Sequence, residues 1–100
     1  MKKNIDEIFE QIRACYKGFL DENFEEIATR SYIAISNNDI DGTILSANSE
    51  GMLLIMGDLI TLGKERKLYG HRHYDKHSRT TECDRPMIIR YAKAPWEEDE

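Results

Sequence analysis

Apolar residues are densest over positions 52–62, inside the stretch 46–64, SANSEGMLLIMGDLITLGK. At 3.6 residues per turn Met52, Ile55, Met56, Leu59, Ile60 and Leu62 share one wide stripe. Glu50, Asp58, Thr61 and Glu65 fall on the other side, with Leu54 among them. Asn48 or Ser49 is placed to cap the start, and Gly63 to end the helix before a Lys/Arg-rich exit. The spacing predicts a core helix over about 49–63, with a small sheet packed against it. The run is too short and too interrupted to span a bilayer.

A second amphipathic helix is predicted over residues 1–20. Asn4 and Glu7 have capping-box spacing, and Ile5, Ile8, Phe9, Ile12, Cys15, Tyr16 and Phe19 follow helical intervals. Such a helix covers the core; its heptad-like spacing equally suits a dimerisation or partner-docking arm. Residues 18–23, GFLDEN, weaken it. Beyond them two readings stand. Asn23 and Glu26 repeat the capping spacing of a short helix, whereas Ile27, Thr29, Ser31, Ile33 and Ile35 alternate as a strand does. A strand is secure over about 32–36.

Asn37-Asn38-Asp39 and Asp41-Gly42 are turn signals, and residues 43–47, TILSA, read as the second strand of a hairpin. Residues 68–75, LYGHRHYD, alternate: Tyr69, His71, His73 and Asp75 share one face, Leu68, Gly70, Arg72 and Tyr74 the other. Residues 76–85 read as a polar loop, and 87–93, MIIRYAK, as the last strand behind Pro86. The order predicts one α+β domain over 1–93: a four-stranded antiparallel sheet from two hairpins, with a central core helix packed on it and an N-terminal amphipathic helix. Residues 94–100 form an acidic tail.

Charge adds one feature. The net charge of −5 argues against generic nucleic-acid binding. It is unevenly spread: residues 64–93 carry nine Lys/Arg against four Asp/Glu, while 31–63 and 94–100 carry acids only. The pattern fits solvated loops, or a bipolar surface that docks a charged macromolecule. Cys15 and Cys83 lack CxxC spacing, and the charged start MKKNIDEIFEQ is unlike a signal peptide. A cytoplasmic protein with free thiols is the expectation.

His71-x-His73 is the constellation closest to chemistry. On a strand both imidazoles project from one face, as a pair of zinc ligands would, with His77, Asp75 or Cys83 as a third donor. No HExxH or CxxC supports a metal, so zinc is the alternative and no cofactor the primary expectation. A catalytic reading pairs His71 or His73 with Asp75, Glu82 or Asp84, but no nucleophile or phosphate loop is marked. The chain is read as a non-enzyme. A nucleic-acid surface would use Arg66, Lys67, Arg72, Lys76, Arg79, Arg85 and Arg90 with Tyr69 and Tyr74; the acidic flanks oppose it.

Asn48, Glu50-Gly51-Met52-Leu53, then His71-Arg72-His73-Tyr74-Asp75, then Met87-Ile88-Ile89-Arg90 carry a resemblance. Over residues 31–93 the order resembles immunity protein 32, a family of bacterial polymorphic toxin and contact-dependent inhibition systems. Met52 stands where that pattern has leucine, and the loop before the last strand departs from it. The resemblance implies a cytoplasmic protein that occludes the active site of one cognate toxin C-terminal domain. Many such toxins are nucleases with positively charged grooves, which an acidic inhibitor complements. Asp39, Asp41, Asp58, Glu97 and Glu98 are then acidic interface candidates. Tyr69, Tyr74 and Trp96 are aromatic anchors, and His71, His73 and Asp75 belong to the same candidate surface. No membrane or nucleic-acid partner is expected; a homodimer through the N-terminal helix is a further alternative, as a regulatory module.

Overall fold

The computed structural model describes residues 4–97, with elements in the order α1 (Ile5–Arg30), β1 (Ile33–Asn38), β2 (Gly42–Ala47), α2 (Ser49–Glu65), β3 (His71–Tyr74), β4 (Glu82–Cys83) and β5 (Met87–Arg90). The α+β class read from the sequence is the class observed.

Helix α1 starts at the predicted cap. The Asn4 side chain accepts from the Glu7 amide at 2.9 Å and donates to its carboxylate at 3.3 Å. It then runs 26 residues, through Gly18 and Asn23, in one piece. Phe9, Tyr16, Leu20 and Ile27 keep one helical face apolar along its length, so tertiary contact outweighs the weak local signal. The Asn23 side-chain Nδ2 donates to the Phe19 carbonyl at 2.9 Å instead of capping a second helix. Ile27, which also fitted a strand, is a buried helical residue.

Helices α1 and α2 pack antiparallel. Asp6 pairs with Arg66 and Glu10 with Lys64 (2.9 Å) at one end. Tyr16 Oη donates to the Leu53 carbonyl at 2.7 Å in the middle, and Arg30 lies 4.0 Å from Glu50 at the other end. Gly63 does not stop α2, which runs on to a left-handed cap at Arg66 (φ 48°). Gly57 and Gly63 instead leave room for the Tyr16 and Phe9 rings of α1. At Gly51 the α2 backbone comes close to the start of β1, where a Cβ would meet the Tyr32 carbonyl oxygen and Ile33.

Two small sheets replace the expected single one. Strands β1 and β2 form the predicted antiparallel hairpin, from Ile33 opposite Ala47 to Asn38 opposite Gly42. The other edge of β1 is taken by β4, paired in parallel through Ala34 with Glu82 and Ile35 with Cys83. Strand β4 lies within the stretch read as a polar loop; two residues are too few to show an alternation. Strands β3 and β5 pair only with each other, antiparallel, His71 opposite Arg90 and Tyr74 opposite Met87.

The core joins both sheets to α2. Ile33, Ile35 and Tyr74 are its buried centre, and Leu54, Ile55, Met87 and Ile89 pack around them. The predicted stripe on α2 is thus displaced. Leu54 faces the core, while Met52, Met56 and Leu59 are exposed.

Candidate functional site

The histidine pair sits on β3 as the alternation predicts, with His71 and His73 exposed and Arg72 and Tyr74 turned inward. Tyr69 is not part of the strand. It takes a left-handed conformation (φ 65°) in the turn before β3, where the Gly70 amide donates to the Lys67 carbonyl at 2.8 Å. His71 Nδ1 donates to the Tyr69 carbonyl at 2.7 Å. That bond leaves the Nε2 lone pair of neutral His71 facing His73 Nε2, 3.1 Å away, which then carries the proton. The two rings meet edge to face.

A metal would find two donors here. No group of three or more His, Cys, Asp or Glu side chains suited to a metal forms among the described residues. Two of the suggested third ligands, Asp75 and Cys83, are engaged elsewhere. The Asp75 carboxylate accepts from the His77 amide at 2.8 Å and organises the turn after β3, and the Cys83 thiol donates to the Arg85 carbonyl at 3.2 Å. Nor does the acid–base pairing form: His71 is oriented by a backbone carbonyl rather than by Asp75, Glu82 or Asp84.

Asp58 and Tyr74, two interface candidates, meet each other instead. Tyr74 is fully buried (0% exposed), so it is no surface anchor: its position on the inward face of β3 places the ring in the core. Its hydroxyl donates to Asp58 Oδ2 at 2.5 Å. Arg79 Nε reaches the same oxygen at 2.7 Å, and Arg72 Nε lies 3.7 Å from Oδ1. Asp58, 16% exposed, is therefore an internal hub tying α2 to β3 and the following turn, not a free acidic contact. Burial first, then the hydrogen bond to Asp58 and its charge, push the Tyr74 phenol far above its ordinary value of 10. Burial and, secondarily, Asp58 raise the Tyr16 phenol as well.

The same pairs consume part of the basic segment. Arg72 and Arg79 face Asp58, Arg66 faces Asp6, and Lys64 faces Glu10. The charge asymmetry of the sequence is thus partly folded into internal ion pairs.

Asp39 and Asp41 lie at the tip of the β1–β2 hairpin, both exposed. Asn38 Oδ1 accepts from the Ile40 amide at 3.0 Å and the Asp41 amide at 2.6 Å, and Thr43 Oγ1 donates to Asn37 Oδ1 at 3.2 Å. Gly42 supplies the left-handed residue that closes the turn (φ 77°). Between the two carboxylates Ile40 is 94% exposed. Sequence reasoning passed over Ile40, although an isoleucine inside a turn of Asn, Asp and Gly was the available signal. Trp96 is 84% exposed in the C-terminal turn, where the Glu97 carboxylate accepts from the Ala94 amide at 3.2 Å. Glu98 lies outside the described residues.

Several residues of the family-like pattern hold the architecture. Asn48 caps α2 by accepting from the Gly51 amide (2.8 Å), accepts also from the Tyr32 amide (2.9 Å), and donates to the Arg30 carbonyl (2.8 Å). It thereby fastens the end of α1, the start of β1 and the start of α2 at one point. Gly51 permits the close approach there, and Asp75 shapes a turn. His71, His73 and Arg90 are exposed on the paired strands β3 and β5, and Asn48, Met52 and Ile88 are exposed as well.

No helix among the described residues is long and apolar enough to cross a membrane. No protein-family model, curated protein or solved structure matches this chain.

Proposed function

We propose that this chain is an immunity protein, which binds a toxin domain and blocks its substrate groove, with the β1–β2 hairpin tip as the inserted contact. The observation that carries the reading is the presentation of Asp39-Ile40-Asp41. One exposed isoleucine is ordinary on a protein surface. Here it stands between two exposed carboxylates, on a turn already held by Asn38, Asn37 and Gly42. No ion pair among the described residues engages either carboxylate. An apolar tip with acidic shoulders suits a basic groove: the charges steer association, and the prearranged turn limits the ordering cost. The resemblance over residues 31–93 supplies the partner class, and a nuclease groove is the surface of that charge.

The test is a low-salt pull-down from the source bacterium using the tagged full chain, in parallel with a tip variant carrying Asp39→Asn, Ile40→Ala and Asp41→Asn. The expected result is capture of the C-terminal domain of a large secreted protein by the wild type and its loss by the variant. Equal capture by both would move the contact away from the hairpin. Failure of the wild type to retain any such domain, or to protect cells expressing it, would end the immunity reading.

A further inference from the structure

Helix α1 presents a second apolar stripe that the fold does not use. Ile5, Ile8, Ile12, Cys15 and Phe19 recur at alternating intervals of three and four, and all five are exposed. At 100° per residue they lie on one flank of the seam formed by Phe9, Tyr16, Leu20 and Ile27. On α2, Met52, Met56 and Leu59 repeat the same intervals and are exposed. An open groove of about 440 Å³ joins the stripes, lined by Ile12, Cys15, Phe19, Leu53 and Met56. The charged residues Asp6, Glu10, Arg13, Lys64 and Glu65 line the opposite flank of the helix pair.

We propose that this face is covered by the same face of a second copy, making a two-fold dimer whose centre is a four-helix bundle. Three arguments favour a copy of this chain. The alternating spacing on both helices is that of bundle helices crossing at shallow angles, so the face fits another helix pair of matching period. A two-fold axis supplies one, because an isologous contact sets each patch against itself. The area is also adequate. Seven large side chains on it, from Ile8 at 39% to Met52 at 59% exposed, offer roughly 600 Å² per copy. Two such patches bury roughly 1,200 Å², the lower bound for a stable specific interface. Finally, the residues preceding Ile5, Ile12, Cys15 and Phe19 are Asn4, Gln11, Ala14 and Gly18, all uncharged, so Glu7 before Ile8 is the one charge at such a position. The hairpin tip lies at the far end of β1 and β2 from their junctions with the helices, and the dimer is independent of the toxin-binding reading.

The test is sedimentation equilibrium of the full chain from about 1 to 100 µM, beside the double variant Ile12→Glu, Met56→Glu. Both positions are exposed, so the monomer fold tolerates the change. The expected wild-type mass is twice 11.7 kDa. The variant, which would have to bury unpaired carboxylates, is expected to associate roughly a hundredfold more weakly or not at all. Cys15 should react with a thiol reagent faster in the variant than in the wild type, and Cys83 should not differ. A wild-type monomer throughout the range, or a dimer that survives both substitutions, overturns the proposal. If the variant loses its helical signal, Cys15 reactivity in the wild type decides: acceleration on dilution supports the dimer, and a concentration-independent rate refutes it.

Discussion

Replacing Asp58 by alanine removes the carboxylate on which Tyr74, Arg79 and Arg72 converge. The buried Tyr74 hydroxyl loses a charge-assisted hydrogen bond, a loss of about 1.5–3 kcal/mol. The arginines are partly exposed, 30% for Arg72 and 37% for Arg79, so screening limits each ion pair to about 1 kcal/mol at most. The better helix propensity of alanine returns about 0.5 kcal/mol. The expected net cost is about 3 kcal/mol, or a melting temperature lower by about 12–24 °C for a domain of this size. Urea unfolding followed by circular dichroism measures it, at one fixed protein concentration because self-association would shift the midpoint. The companion Tyr74→Phe removes the donor but leaves Asp58 its arginines, and should cost about 1–1.5 kcal/mol. The double variant should be less destabilised than the sum by about 1–2 kcal/mol. An Asp58→Ala protein within about 0.5 kcal/mol of wild type, or strictly additive costs, would refute the hub.

Two further outcomes follow from the packing. Gly51→Ala raises helix propensity by about 1 kcal/mol, yet its methyl collides with the Tyr32 carbonyl and Ile33; a net loss of about 1–3 kcal/mol in the same unfolding assay is expected, and a gain would contradict the close approach. The Tyr74 phenol is raised in the folded state, so its contribution is fully present below pH 10 and is lost as pH rises above 10, where the unfolded chain ionises first. Between pH 10 and 11.5 the wild type should therefore lose about 1.5 kcal/mol more stability than Tyr74→Phe; parallel curves would count against the buried phenol.

The candidate site was legible wherever the chemistry was local. The capping box at Asn4, the Asn48 cap and the hairpin turn at 37–42 are short-range signals, and each is found where its residues imply. So is the alternation that exposes His71 and His73 and turns Tyr74 inward. What that inward turn meant for Tyr74 was missed, because an aromatic residue beside histidines reads equally as an anchor or as core. Asp58 was misread for a related reason. Its carboxylate is satisfied by residues 14 to 21 positions away, which no helical or strand period connects.

The sequence by itself determined two amphipathic helices, one hairpin and the strands β3 and β5, since each rests on periodicity or turn chemistry between near neighbours. Only the tertiary structure decided how they combine. The parallel pairing of β4 with β1 is a long-range contact made through the backbone, which a two-residue polar strand does not advertise. The strands form two sheets rather than one. The tertiary structure also decided which apolar face of each helix is core. On α1 the whole stripe fits one amphipathic helix, but a single neighbouring helix covers only the side bearing Phe9, Tyr16 and Leu20. Periodicity marks what is apolar; which part is buried depends on what packs against it.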